Sequence, residues 1–407
     1  MTTVCGFVER AEGGLLVARL PHAAIGDGVV IDSGATGEVR RVEGPLAHVA
    51  VHGSIEGIAA GASVRIDPSA RYAVLGMCAL GRAIDARGRP LDGAPRLRGR
   101  TVTLDATAPA MRAPVTVPLW SGIRAIDALL TLGKGSRTGI FGPPGVGKTM
   151  LLEMFERGCA ADAIVIALVG ERGREAQAWI ARCDPRTTII CATSDRPAAE
   201  RLRCVRVALA HACALRQRGL DVLVLLDSLA RVAAALRELA VANGESTGRG
   251  GFPASVFAEM ARLVEVGGAA PSGSITLIAT VLDDGDERDP VSDAARSLLD
   301  GHVQLSPVLA RAGRFPALDV PASASRTMRQ VVEPQHLRAA SVVRSALAAL
   351  ERSADARALG IAVEGAALRR AVACELQLEG FLRQEMPAHD PLQSLAMLVD
   401  LAHDLEE

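Results

Sequence analysis

Eight consecutive residues, GPPGVGKT from Gly142 to Thr149, have the residue types that bind a phosphate chain. They follow a short apolar run, residues 138–141, and precede another at 150–155, which predicts the order strand, glycine-rich turn, helix. Glycines let backbone N–H groups close around an anion, and the N-terminus of the helix adds positive potential. The pattern predicts a P-loop, with Lys148 on the outer phosphates and the Thr149 hydroxyl on magnesium.

The whole loop is our candidate nucleotide-binding segment: Gly142, Pro143, Pro144, Gly145, Val146, Gly147, Lys148 and Thr149. The two prolines have no N–H, so the other amides must form the cradle. The chain has only two lysines, and a compact ammonium suits this position better than a planar guanidinium does. We interpret the other lysine, Lys134, as a solvated turn charge.

Two carboxylates lie where predicted strands end. Asp227 follows the apolar run 222–226, and Glu171 lies just after the run 164–169. The carboxyl ends of parallel strands meet at the ligand crevice, so both side chains can reach the phosphates. Asp227 is the candidate magnesium partner, and Glu171, with Glu175 as a second candidate, is the group that activates water. The structural alternatives are a helix cap for Asp227 and a solvated charge cluster for the two glutamates.

The elements that must position these groups predict an α/β core. Apolar runs indicate buried parallel strands at 138–141, 164–169, 188–191, 222–226 and 275–281. Helical patterns occur at 123–130, 175–182, 198–218 and 257–266. The segment 81–93 is dense in Gly, Pro and Asp, which predicts a turn-rich connector.

The ends of the chain differ from this core. Closely spaced short strands in residues 1–67 predict a small β-barrel, and we interpret its His48 and His52 as ordinary rim residues. From residue 333 the chain is alanine-rich and helical. We therefore expect three domains, at 1–67, 68–332 and 333–407.

Composition narrows the function classes. A net charge of −1 and 2% aromatic residues weigh against nucleic-acid binding. The eight cysteines form no CxxC pair, which indicates free thiols in a reducing compartment. There is no leader-like N-terminus and no apolar run long enough to span a bilayer, so we expect a cytoplasmic protein.

Three segments resemble the ATPases of bacterial type III protein export, flagellar and virulence-associated: GERGRE at 170–175, LLDSLAR at 225–231 and GFPASVF at 251–257. The likeness extends to 81–93, 289–302 and 323–326, and so to nearly the whole chain. More distant kin are the catalytic subunits of rotary ATP synthases. The resemblance implies a RecA-like P-loop core between a small N-terminal barrel and a helical C-terminal domain, assembled as a homohexamer.

The resemblance also implies roles for further residues. Arg172, Glu175 and Arg231 would support Glu171, and Arg326 would be an arginine finger in the neighbouring subunit's site. Leu337 and Met386 stand where rotary kin have a tyrosine and a phenylalanine, and would form an apolar adenine slot without ring stacking. The implied cofactors are ATP and Mg²⁺.

The function expected from this likeness is ATP hydrolysis at the inner-membrane export apparatus, releasing and unfolding export substrates from chaperones. Implied partners are stator and stalk proteins, secretion chaperones and export substrates, but not nucleic acid. The resemblance does not distinguish flagellar export from virulence-associated export. The alternatives are a rotary-synthase catalytic subunit, an RNA-dependent helicase like the Rho terminator, and a non-catalytic nucleotide-binding assembly subunit.

Overall fold

The computed structural model describes residues 5–12, 14–285, 289–361, 365–385 and 390–407. It has a small barrel, a large sheet covered by helices, and a C-terminal group of helices. This confirms the predicted fold class. Within the described residues, no helix is both long enough and apolar enough to cross a membrane.

Six short strands form the N-terminal barrel: β1 (Cys5–Glu12), β2 (Leu15–Arg19), β3 (Gly28–Ile31), β4 (Thr36–Glu43), β5 (Leu46–His52) and β6 (Ser63–Ile66). They close in the order β1-β2-β5-β4-β3-β6, every pair antiparallel. Alternating valines and leucines fill the interior, as the period of two in a strand requires.

The two barrel histidines differ in their surroundings. His48 lies 3.4 Å from Glu43. His52 is only 2% exposed, so its interpretation as a rim residue was wrong. Burial, and then the charge of Arg203, lower the pKa of His52 to about 3, so the ring is neutral at physiological pH.

The segment that leads to the P-loop contains short elements: β7 (Tyr72–Val74), β8 (Arg82–Asp85), β9 (Thr101–Thr103), β10 (Pro118–Leu119), α1 (Arg124–Leu129) and β11 (Leu132–Gly133). The prediction that 81–93 is only a connector was wrong, because β8 pairs in parallel with residues 188–191 as the edge strand of the large sheet. Ala83 and Ile84 are fully buried there. An ion pair of 2.6 Å between Arg82 and Asp92 closes the turn that follows.

The remaining strands are β12 (Arg137–Gly142), β13 (Ala163–Val169), β14 (Thr187–Ala192), β15 (Asp221–Asp227), β16 (Gly268–Ala269), β17 (Ser274–Leu282), β18 (Gly301–Leu305) and β19 (Leu318–Ser325). The sheet order is β19-β18-β12-β17-β15-β13-β14-β8, with β16 beside β17. All neighbours are parallel except the pairs made by β19 and β16. The P-loop strand β12 therefore lies inside the sheet, as its buried sequence predicts.

Helices follow these strands: α2 (Lys148–Gly158), α3 (Gly173–Ile180), α4 (Ala198–Arg216), α5 (Leu229–Ala242), α6 (Ala254–Val264), α7 (Pro290–Leu298), α8 (Pro307–Arg311) and α9 (Met328–Val331). Helices α4, α5 and α6 share one apolar cluster, and α1 and α2 belong to another. The sheet is thus covered on both faces, which its nearly unbroken apolar strands require.

Four C-terminal helices complete the chain: α10 (Pro334–Ala358), α11 (Ala366–Ala373), α12 (Glu375–Leu382) and α13 (Pro391–Glu406). Helices α10, α12 and α13 pack against α1, and all four belong to the same apolar cluster as α2. Arg124 donates to the carbonyls of Gly380 and Phe381, and the Gln384 amide donates to Gly122. These bonds attach the C-terminal helices directly to the segment that precedes the P-loop strand.

We expect Phe155→Ala to reduce the free energy of unfolding by about 3–5 kcal/mol, because a buried ring would be replaced by a cavity. Phe155 is on α2 and is fully buried. Urea unfolding followed by circular dichroism would measure the change. Met111→Ala, at a side chain that is 70% exposed, is the control and should change stability by less than about 0.5 kcal/mol. Equal effects of the two substitutions would contradict the packing described here.

Candidate active site

The P-loop connects β12 to the N-terminus of α2. Gly147 precedes the helix with φ of 102°, a left-handed conformation that side chains rarely adopt. No side chain caps this N-terminus, so the backbone N–H groups of the first turn can serve an anion. The Lys148 ammonium donates to the carbonyls of Gly142 and Pro143, at 2.7 and 2.8 Å, and Thr149 is half-buried beside it.

Asp227 ends β15 and is only 7% exposed. The Thr280 hydroxyl donates to its Oδ1 at 2.6 Å, which leaves Oδ2 without a partner among the described residues. Burial raises the pKa of Asp227, against the opposing effects of the Thr280 hydrogen bond and the Lys148 charge. A carboxylate that is mostly buried and has one oxygen with no donor suits a hard cation such as Mg²⁺.

Glu171 lies immediately after β13 and Gly170, and its side chain is 12% exposed. Burial, a hydrogen bond with Glu175 and the charge of Asp227 raise the pKa of Glu171 to about 7, while Arg231 opposes the rise. Arg231 Nε lies 3.2 Å from Glu171 Oε1. A carboxylate whose pKa is near the working pH is well suited to general-base catalysis.

The structure brings together most of the predicted site. The carboxylates of Asp227, Glu171 and Asp283 all act electrostatically on the Lys148 ammonium, and Arg231 contacts Glu171. Arg172 differs, because its side chain is 80% exposed and lies 3.8 Å from Glu175. Support of Glu171 by Arg172 therefore stays a prediction, whereas Arg231 is in contact.

Arg326 lies far from its own P-loop. It directly follows β19, where Ser325 pairs with Gly301, and Gly301 pairs with Thr138 near the start of β12. The P-loop begins at the other end of β12, and the four residue steps from Thr138 to Gly142 span about 13 Å of strand. Arg326 is exposed, and among the described residues its guanidinium has no hydrogen bond or ion pair.

The predicted adenine slot is only partly covered by the structure. Leu337, in the first turn of α10, is half-buried and packs against the apolar cluster that also contains Val146 of the P-loop. Met386 lies outside the described residues. The slot therefore stays a prediction.

The sequence analysis missed three residues near the loop, which are Asp283, Arg296 and Thr280, and it misinterpreted Lys134. Asp283 follows β17, its N–H donates to the Gly142 carbonyl at 3.1 Å, and its carboxylate lies 2.5 Å from Arg296. Thr280 holds Asp227, as described above. The strand-end rule that found Asp227 also applies to Asp283, so that signal was available. Lys134 is paired with Asp221 at 2.6 Å and is 29% exposed, so it is not a solvated turn charge.

The geometry predicts a pH dependence. The rate of ATP hydrolysis is expected to rise between about pH 6 and 8, because a general base acts in its deprotonated form. The pKa of Glu171 is about 7, and burial of the carboxyl is the largest cause of this rise. Glu175→Ala removes the hydrogen bond and charge that contribute to this, so the midpoint should move to lower pH. Steady-state rates across this range would show both effects, and a flat profile for the native protein would contradict the role of Glu171.

Comparison with known proteins agrees with this geometry. Residues 122–325 match the model of the ATP synthase alpha/beta family, nucleotide-binding domain. The type 3 secretion system ATPase of Sinorhizobium fredii is 40% identical over 397 residues, which cover 94% of this chain and 88% of that protein. The chain belongs to the family of type 3 secretion and flagellum-specific ATPases.

Other members show how far the likeness of this ATPase extends. The flagellum-specific ATP synthase of Pseudomonas aeruginosa is 39% identical over 417 residues, covering 97% of this chain and 92% of that protein. The structure of assembled EscN from enteropathogenic E. coli superimposes with a TM-score of 0.92 at 35% identity, covering 98% of this chain and all of that chain. These findings confirm the resemblance, the RecA-like core and ATP hydrolysis as the activity.

Proposed function

We propose that this ATPase hydrolyses ATP with Mg²⁺ at its P-loop, in service of a type 3 export machine. One observation carries the site: Lys148 and the carboxylates of Glu171 and Asp227, far apart in sequence, converge at the same edge of the sheet. The named relatives include both type 3 secretion and flagellum-specific enzymes, so their names support export in general.

The residues present fit the proposed cofactors. The uncapped α2 N-terminus and Lys148 would hold the phosphates, while Thr149 and Asp227 would hold Mg²⁺ through oxygen ligands, directly or through its water shell. The metal would neutralise charge that develops on the phosphate oxygens. Glu171 would accept the proton of the attacking water, and Arg231 would orient that carboxylate. Leu337 and Met386 would line the adenine site.

The assembly belongs to the same proposal. Arg326 is exposed and lies away from its own P-loop, which supports a role in a neighbouring subunit's site. EscN has been solved assembled, and also in complex with its central stalk EscO. We propose a homohexamer that contacts a stalk, a stator, chaperones and export substrates, peripheral to a membrane export gate. We also propose that the N-terminal barrel domain ends at residue 67, that the nucleotide-binding domain covers 68–332, and that the C-terminal helical domain covers 333–407.

Purified protein is the test of the site. Hydrolysis should require Mg²⁺, and Lys148→Ala should lower the turnover number by about 100-fold, because charge-assisted hydrogen bonds to the phosphates are lost. Phosphate release, measured with and without EDTA, would report both effects. Lys134→Ala is the matched control, since Lys134 pairs with Asp221 away from the loop. Full turnover by Lys148→Ala would show that the P-loop is not the catalytic site.

A further inference from the structure

A second cavity lies between the barrel and the helices on one face of the sheet. It has a volume of about 380 Å³, and its walls come from β3, β4 and β5 on one side and α4 and α6 on the other. Its helices belong to a different apolar cluster from α2, so the cavity is separate from the P-loop. We call it the barrel cavity. Its charged lining consists of Arg40, Arg71, Arg203, Arg206, Arg262, Glu38, Asp105 and Glu259.

Most of these charges are paired with one another. Four of the five arginines have carboxylate partners: Arg40 and Arg206 on Glu38 at 3.0 and 2.7 Å, Arg206 and Arg262 on Glu259 at 3.1 and 2.7 Å, and Arg71 on Asp105 at 2.6 Å. Five arginines against three carboxylates leave two positive charges in excess among the lining side chains. His52, which also lines the cavity, is neutral.

Arg203 is the arginine without a carboxylate partner. Its Nε donates to the Ala86 carbonyl at 3.0 Å and its Nη1 to the Ala70 carbonyl at 2.8 Å. Its Nη2 has no partner in the part of the chain that the structure describes. Burial lowers the pKa of Arg203 to about 10. The charges of Glu38 and Asp85 oppose this shift, and the positive charges of Arg206 and Arg87 add to it. A half-buried guanidinium whose hydrogen bonds go only to neutral carbonyls carries a positive charge that a small anion would help to compensate.

We propose that the barrel cavity binds a small phosphate-bearing anion, with Arg203 as its principal ligand. The planar guanidinium matches phosphate oxygens in geometry as well as in charge. The volume falls in the range of small-molecule sites. An anion here would contact the barrel and α4 together, and would thereby connect the barrel to the nucleotide-binding sheet.

Calorimetric titration with pyrophosphate tests the site. The protein is the full chain carrying Lys148→Ala, which weakens phosphate binding at the P-loop on the proposed function above. Saturable binding is expected, and adding Arg203→Met should weaken it by about 10–100-fold, as for loss of charge-assisted hydrogen bonds. Arg311→Met, at an exposed arginine on α8, is the matched control and should leave the affinity unchanged.

Several outcomes would overturn the proposal. One is the absence of saturable binding to Lys148→Ala protein, and another is equal affinity with and without Arg203. If the Arg203 variant does not fold, crystals of Lys148→Ala protein soaked in tungstate decide the matter. Anomalous density within hydrogen-bond distance of Arg203 Nη2 supports the site, and density only elsewhere refutes it. Undiminished ATP hydrolysis by Lys148→Ala would refute the proposed catalytic site but not this one, since the Arg203 comparison is independent of it.

Discussion

Arg326→Ala is expected to hydrolyse ATP about 10³–10⁵-fold more slowly than the native protein, because an arginine supplied in trans stabilises the charge of the transferring phosphoryl group. The structure supports action in trans. The residue is exposed and lies at the end of the sheet opposite its own P-loop. Arg329→Ala, at an exposed arginine three positions further on, is the control and should be nearly as active as the native protein. The native protein should also gain specific activity as its concentration rises and subunits assemble.

Mixing two variants that are each strongly impaired alone separates this hypothesis from a structural role. In rings formed from equal amounts of Lys148→Ala and Arg326→Ala subunits, about one quarter of the interfaces would join an intact P-loop to an intact finger. Activity should therefore return in part. Energy transfer between labelled subunits would establish that they exchange. No recovery despite exchange, or full activity of Arg326→Ala alone, would contradict the trans role.

Glu171→Gln is expected to bind ATP normally and to hydrolyse it about 10²–10⁴-fold more slowly, the usual contribution of a general base. The amide keeps the size of the side chain but cannot accept the proton of water. Single-turnover measurements would separate binding from chemistry, and a fluorescent ATP analogue would report the affinity. Glu175→Gln is the matched control, because Glu175 contacts Glu171 one helical turn away. If Glu175→Gln has the larger loss, Glu175 rather than Glu171 is the base.

The P-loop and the strands around it were predictable because their signals are local. GPPGVGKT lies between an apolar strand and a helix, and the buried strands are runs of β-branched and aliphatic residues. Helix α5 was not predicted, although Ser228 caps it and Leu229, Val232 and Leu236 follow at helical spacing. The sequence therefore does carry a local signal for α5.

Other features have no local signal. Strand β8 is four residues long in a turn-rich segment, and only its pairing with β14 makes it a strand. Nothing in the sequence around Lys134 or Arg203 distinguishes these residues from exposed lysines and arginines. Their difference, a carboxylate partner for one and none for the other, depends on contacts with Asp221 and with the Ala70 and Ala86 carbonyls across the fold. Such contacts follow from tertiary packing.

The early position of β8 has a consequence for synthesis on the ribosome. Residue 187, where β14 begins, lies 102 positions after residue 85, where β8 ends. At a translation rate of about 5–20 residues per second, the partner strand is made roughly 5–20 s after β8. During that interval the nascent chain carries a completed barrel and an edge strand with nothing to pair with. A fragment that begins after residue 85 would lack β8. The edge of β14 would then be uncovered and open to intermolecular pairing and aggregation.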